Sequence, residues 1–285
     1  MSFRNQISAL LSQNRPALSE SSLRTYTSTL YNLNKKIFNT ESIDNLKQQD
    51  VVIDYLSNTP SNKRKTILSA LVVLLPNDSN KYHRLMMEDN RIYQQQELSQ
   101  LKTETQEQNW ITQEELQTEI TRHEREVKEY FKDFKKTKQA HMGGLQTIQN
   151  YLLLLLTSGR YVPIRRALDW TELKHTNSGE DDNELVISRS GSKFIFRRYK
   201  TDKKYGTQEI KIPVELKEIL VKYLEYLKVV CPSTDYVFID NNCNKLTSVK
   251  INQRLEKIFH RKVGINSLRH SYITEKYQNL PSLEE

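Results

Sequence analysis

The chain has 285 residues, with 43 Lys and Arg against 35 Asp and Glu, a formal charge of +8 and 36% hydrophobic residues; its mean hydropathy is −0.71. That length exceeds one ordinary compact core, so two domains are expected. The longest apolar run, Tyr151 to Leu156, is six residues, short of the ~20 a spanning helix needs. Met1–Gln6 lacks the apolar stretch of a secretory signal, and Cys231 and Cys243 are spaced for neither a zinc site nor a disulfide framework. Membrane, secreted and metal-stapled classes are set aside, and a soluble intracellular protein is expected.

Charge is unevenly placed. Residues 1–85 hold 11 basic and 6 acidic side chains, residues 86–136 hold 8 and 12, and residues 137–285 hold 24 and 17. Two basic blocks around an acidic connector suit a two-part clamp on a polyanion, although Lys-rich surfaces also serve solubility alone. All seven glycines lie from Gly143 onward, which predicts an all-helical first half and a mixed second half.

In chain order, Leu18–Leu23 supplies cap-type residues, and Leu23, Tyr26, Leu30, Leu33 and Ile37 recur at spacings of three and four, one face of a helix. A second helix is predicted over Gln49–Leu56, and a third from Lys63 to Leu75, opened by Pro60-Ser61-Asn62 and closed by Pro76. The first turn of the third carries Lys63, Arg64 and Lys65. Cations there oppose the helix dipole unless an anion is nearby. Phosphate is the obvious anion, and a solvated turn explains the triplet equally well.

From Met86 to Lys136 apolar residues are too sparse for an independent core. A helix restart is predicted at Thr112, with Glu115 three residues on as a capping pair. Beyond it, Leu145–Ser158 reads as an apolar helix central to a core. Residues 184–188, 193–199 and 208–212 are strand-like, with Lys200–Gly206 as a basic hairpin turn. Helices follow over Glu215–Val229, 248–260 and 265–277, with a short extended segment at Tyr236–Ile239. The histidines His83, His123, His141, His175 and His260 lack ligand spacing, so no metal is assigned, and no glycine-rich nucleotide motif is present.

Three motifs stand in order: the segment from Pro163 to Leu173, with Arg165-Arg166 and Asp169-Trp170; Tyr199-Lys200-Thr201; and Asn266-Ser267-Leu268-Arg269-His270-Ser271. This order resembles the tyrosine recombinase (phage integrase) family. Arg166 has an acid three residues on (Asp169) and an apolar residue seven on (Leu173), like the family's first box, and Leu268-Arg269-His270 matches the second. The proline and the Asp-Trp ending look more like the integrases of large DNA viruses and virophages than the bacterial Xer type.

The resemblance implies a mainly α fold with a small antiparallel β-sheet (α+β). It implies a helical core-binding domain (1–90), a charged helical linker (91–136) and a tyrosine-recombinase-like catalytic domain (137–285). The implied activity is a site-specific recombinase or integrase that cuts and rejoins duplex DNA through a 3′-phosphotyrosine. Charge building on a phosphodiester calls for guanidinium forks, hence Arg166 and Arg269. A lysine on a mobile hairpin can protonate the leaving 5′-oxygen, hence Lys200, and His270 is expected to pack beside Arg269. Without the resemblance, the same residues would read as a helix-end surface pair, an ordinary basic hairpin and a structural pair on a helix.

Lys63, Arg64, Lys65 and Arg165 are the expected DNA-backbone contacts, with a surface acid as the other expected partner of Arg165. Asn266 stands where the family has histidine and cannot shuttle a proton. The nucleophilic tyrosine should lie further beyond Arg269 than Tyr272 or Tyr277, so the sequence is expected to lack its tyrosine segment. No cofactor is implied. The implied partners are duplex DNA and further copies of the chain (a tetramer on DNA), with no membrane and no small-molecule substrate. The implied location is with DNA inside a cell: host nucleus, cytoplasm or viral factory. Two other readings stand beside this one: a cleavage-deficient accessory or architectural DNA-binding protein, and a helical scaffold using residues 91–136 for protein contacts.

Overall fold

The computed structural model describes residues 2–98, 102–176, 179 and 181–277, in two compact units, Met1–Lys102 and Thr103–Glu285. The first unit is helical: α1 (Phe3–Asn14), α2 (Glu20–Phe38), a 3₁₀ turn (Asp44–Lys47), α3 (Gln49–Tyr55), α4 (Ser61–Leu74) and α5 (Asn80–Leu98). Ser19 caps α2 by accepting from the Ser22 N–H, and Asn39 in the left-handed region closes it. Helix α1 was not among the predicted elements. It buries Phe3, Ile7 and Leu11, a spacing of four that is its sequence signal.

The basic triplet at the start of α4 turns largely inward. Arg64 Nε and Nη2 donate to both carboxylate oxygens of Asp89 on α5, at 2.9 and 2.7 Å, and Asp89 is fully buried. Lys65 Nζ lies 3.2 Å from the centre of the Tyr93 ring. Lys63 alone of the three is fully exposed. Arg64, one of the three expected at DNA backbone, is thus bonded within the protein: a buried carboxylate needs a fork of donors, and this guanidinium supplies it.

The second unit runs α6 (Glu104–Gln108), α7 (Gln113–Thr137), α8 (Met142–Thr157), α9 (Ala167–Thr171), β1 (Leu173–Lys174), β2 (Asn183–Val186), β3 (Lys193–Phe196), α10 (Asp202–Tyr205), β4 (Gln208–Lys211), α11 (Val214–Val230), α12 (Ser248–Phe259) and α13 (Ile265–Tyr277). Helix α8 is its axle, with 11 of its 16 residues buried. Gly144 is required there, because a Cβ at that position would sit 2.3 Å from the Tyr226 hydroxyl.

The segment read as a connector divides differently. Helix α5 belongs to the first unit, residues 99–101 lie outside the described residues, and α7 is part of the second core. Its buried Leu116, Ile120, Val127 and Phe134 join the cluster around α8. A helix needs one apolar face to join a core, and these widely spaced residues line one. The Thr112–Glu115 capping box forms as expected, with the Thr112 side chain accepting from the Glu115 N–H and the Glu115 side chain from the Thr112 N–H.

The chain is mostly helical with one four-stranded sheet of order β1-β2-β3-β4. The β2–β3 and β3–β4 pairs are antiparallel as expected, but β1 pairs parallel to β2, so the sheet is mixed. A two-residue strand is too short to show alternation in sequence. The extended segment at Tyr236–Ile239 contributes buried Val237, Phe238 and Ile239 and two isolated bridges rather than a strand. The cysteines are also corrected: Cys231 at the end of α11 and Cys243 form a disulfide, their Cα atoms 5.7 Å apart. The turn in which Asp240 Oδ1 accepts from the Asn242 and Asn244 N–H groups brings Cys243 back to the helix end. Residues 278–285 of the expected catalytic domain lie outside the described residues.

Arg64→Ala leaves the Asp89 carboxylate buried without its charge partner, so it is expected to destabilise the first unit by about 3–5 kcal/mol. Urea denaturation followed by far-UV circular dichroism measures this, and a loss under about 0.5 kcal/mol would mean that Arg64 is a surface cation after all.

Candidate nucleic-acid site

The first motif begins where α8 stops. Thr157 and Ser158 cap backward with their hydroxyls on the Leu153 and Leu155 carbonyls, and Gly159 turns the chain at φ +71°. A Cβ on Gly159 would lie 2.4 Å from the Tyr272 ring of α13, so α13 rests on this turn. Tyr272 is one helical turn past Arg269, and Gly159 is seven residues before Arg166. That contact sets α13 on the turn from which the segment leading to Arg166 departs.

Arg165 and Arg166 then diverge: both precede α9, with Arg166 its N-cap in an extended conformation, and successive side chains of extended backbone point to opposite sides. Arg165 goes inside. Its Nε donates to Asp169 Oδ2 at 2.9 Å and its Nη1 to Gln208 Oε1 at 2.7 Å. The guanidinium carbon lies 3.9 Å from the Phe196 ring centre and 4.9 Å from that of Tyr199. The two partners' side chains are only 9% and 4% exposed. Burial raises the Asp169 carboxyl above its usual range, opposed first by the charge and hydrogen bond of Arg165 and then by Arg166; its Oδ1 has no partner among the described residues. Of the two partners expected for Arg165, DNA backbone or a surface acid, the structure shows an acid, Asp169, which is buried. Phe196, Tyr199 and Gln208 form a slot for one planar cation, and the acid assigned to Arg166 by spacing is bonded to Arg165.

That slot joins the first motif to the hairpin, because Phe196 ends β3 and Gln208 opens β4. Between them the Tyr199 hydroxyl donates to the Gly206 carbonyl at 2.6 Å, closing the loop from which Lys200 projects, exposed. Arg198, Lys203 and Lys204 are exposed on the same loop, while Arg197 pairs with Glu184 at 2.8 Å. Buried Asn183 ties the base of the loop to α9. Its Nδ2 donates to the Asp169 carbonyl at 3.3 Å and the Arg198 carbonyl at 2.9 Å. Its Oδ1 accepts from the Arg197 and Arg198 N–H groups at 2.9 and 2.8 Å. Sequence reading missed Asn183, which heads the short strand Asn183–Val186 next to Glu184; nothing local in the sequence marks it.

The second motif lies on α13, where Ile265, Leu268 and Ser271 are buried. Arg269 is half-buried, while Asn266 and His270 are exposed. His270 was expected to pack beside Arg269; it points away because the buried residues recur every three and occupy the other face. The helix is held from across the unit. The Ser271 hydroxyl donates to the Ile111 carbonyl, and at the turn before α13 the Arg261 Nη1 donates to the Trp110 carbonyl at 2.7 Å.

Among the described residues, Arg166, Lys200 and Arg269 have no side-chain hydrogen bond or ion pair, whereas their neighbours Arg165 and Arg197 are committed to acids. Arg198 and Lys203, exposed on the loop of Lys200, share that state. Nothing in the donor set calls for a metal: no group of three His, Cys, Asp or Glu side chains is placed to hold one among the described residues.

The two adjacent arginines should separate in experiment. Arg165→Ala strands a buried carboxylate and is expected to cost about 3–5 kcal/mol. Arg165→Lys recovers little of that loss, since an ammonium neither stacks nor forks. Arg166→Ala is expected to stay within about 0.5 kcal/mol of the parent. Urea denaturation followed by tryptophan fluorescence reads this unit, which holds both Trp110 and Trp170. Equal losses at both positions would refute the inside–outside assignment.

No family signature matches this sequence, and no curated protein matches it. Among solved structures, similarity is found to the crystal structure of XerA recombinase, at 14% identity over 98% of this chain and 86% of that one, with a TM-score of 0.37. A second is XerH site-specific recombinase bound to palindromic difH substrate in a post-cleavage complex, at 14% identity over 97% and 85%, with a TM-score of 0.43.

Proposed function

We propose that this chain binds duplex DNA and is a tyrosine-recombinase-like protein, of the kind that cuts and rejoins DNA through a 3′-phosphotyrosine. The observation that carries the reading is the set of three unpaired cations, Arg166, Lys200 and Arg269, on the three motifs that the resemblance orders. In this reading Arg166 and Arg269 donate to the non-bridging oxygens of one phosphodiester as its charge builds. Lys200, on the exposed loop, gives a proton to the leaving oxygen. Asn266 can donate one hydrogen bond to a phosphate oxygen. Lys63 supplies a backbone contact from the first unit.

The finer parts of the reading are integration of viral or virophage type, assembly as a tetramer on DNA and a place beside DNA inside a cell. No cofactor is invoked. Cleavage-deficient DNA binding is the second reading, and one observation favours it: the Tyr272 ring is packed on Gly159, with its hydroxyl 3.3 Å from Lys276 Nζ.

DNA binding is tested by salt titration. With roughly 6–10 phosphate contacts, affinity for a mixed-sequence duplex is expected to fall ~10³–10⁵-fold between 50 and 200 mM salt, and a nearly flat response would exclude a backbone-binding surface. On a nicked suicide substrate, residues 1–285 are expected to bind without forming a covalent adduct. An adduct mapped to Tyr272 or Tyr277 would identify the nucleophile within this sequence and remove the second reading.

A further inference from the structure

We propose that Asn183 is the positioning residue for Lys200: its side chain fixes the backbone from which Lys200 projects toward DNA phosphate. The DNA half of this rests on the function proposed above. Asn183 is fully buried at the head of β2. The β3–β4 ladder ends at the Phe196–Gln208 pair, so the next N–H groups, those of Arg197 and Arg198, leave the sheet. Asn183 Oδ1 takes both, and Nδ2 donates to the carbonyls of Arg198 and Asp169. Those four bonds use every donor and both lone pairs that a primary amide offers. Serine is too short and has one donor, and aspartate accepts but cannot donate twice.

The consequence falls on Lys200 because the chain is pinned on both sides of it. Asn183 holds Arg198, two residues before. Tyr199 is fixed by its hydroxyl on the Gly206 carbonyl and by its ring beside the Arg165 guanidinium. The bond to the Asp169 carbonyl ties the same amide to the helix that carries the Arg165–Asp169 pair. Without Asn183, the base of the loop keeps the Tyr199 anchor and the Arg197 side chain on Asp182 and Glu184, but the backbone at Arg197 and Arg198 is no longer held, and Lys200 samples more directions at each phosphate encounter.

The test uses residues 1–285 and a mixed-sequence DNA duplex. Hydrogen exchange in the free protein decides the geometry. Asn183→Ser is expected to speed exchange at the Arg197 and Arg198 amides by about tenfold or more while the β2–β3 ladder amides stay protected. Asn183→Asp, which keeps both acceptors, is expected to restore much of that protection. It also serves as the working variant if Asn183→Ser does not fold, when its loss of the two carbonyl bonds is read instead. Uniform loosening of the whole sheet would show a plain structural role and overturn the proposal.

A double-mutant cycle decides the link to DNA. Lys200→Ala is expected to lower the salt slope by about one in the parent. Its cost in affinity should shrink by about threefold or more in the Asn183 variant. Local loosening with additive affinities overturns the positioning of Lys200. A parent in which Lys200→Ala changes neither affinity nor slope overturns the DNA-facing role of this loop, and the DNA half of the proposal with it, while the exchange result still judges the geometry.

Discussion

A guanidinium cannot be taken out of water without acceptors and a neutralising charge, and Arg165 meets that requirement by gathering residues from three elements. Asp169 comes from α9, Phe196 from the end of β3 and Gln208 from the start of β4, with Tyr199 from the loop between the strands. Burying the pair gives little net stability by itself, yet breaking it is costly, so it acts as a geometric lock more than a source of free energy. Only arginine suits the slot, because a planar cation can lie against two aromatic faces while its edge donates to a carboxylate and an amide. With Arg165 bonded to Asp169, the half-buried Arg166 has no acid partner among the described residues, and the hairpin bearing Lys200 is held against the first motif.

The helix carrying Arg269 is placed by different means. It rests on Gly159, where the absence of a side chain lets the Tyr272 ring approach. It is also tied to the segment preceding α7: Ser271 bonds the Ile111 carbonyl, Arg261 bonds the Trp110 carbonyl and pairs with Glu115, and the Lys262 N–H donates to Asn109 Oδ1 at 2.9 Å. Thus α7, with its N-terminal strap, supports the second motif as well as covering α8. Helix α8 itself, buried along most of its length, is the body against which both arginine motifs are set.

Much of this was legible in the chain. Apolar spacing gave α2, α4, α8, α11 and α12 nearly to their ends, and the Thr112–Glu115 pair located the start of α7, because periodicity and caps are local properties of a helix. The absence of glycine before Gly143 matched the all-helical first unit. The hairpin around Lys200 followed from alternation and turn residues. The order of Arg166, Lys200 and Arg269 was visible without any structure.

What the sequence could not decide were questions about partners distant in the chain. Spacing assigned Asp169 to Arg166, but the carboxylate pairs with Arg165 because the aromatic slot that receives a guanidinium is built by residues some thirty positions later. Arg64 looked like a free cation until Asp89, 25 residues on, was placed beneath it. Helix α7 looked like a connector because its apolar residues are few, and only the face they share assigns it to the second core. Cys231 and Cys243 were too few to suggest a framework, and a turn at Asp240 brought them together. Local order is written in neighbours along the chain, so the sequence by itself determined the elements and the candidate motifs. Which cation is paired with a buried acid and which is left without one depends on where distant acids and aromatic rings come to lie, and only the tertiary structure decided that.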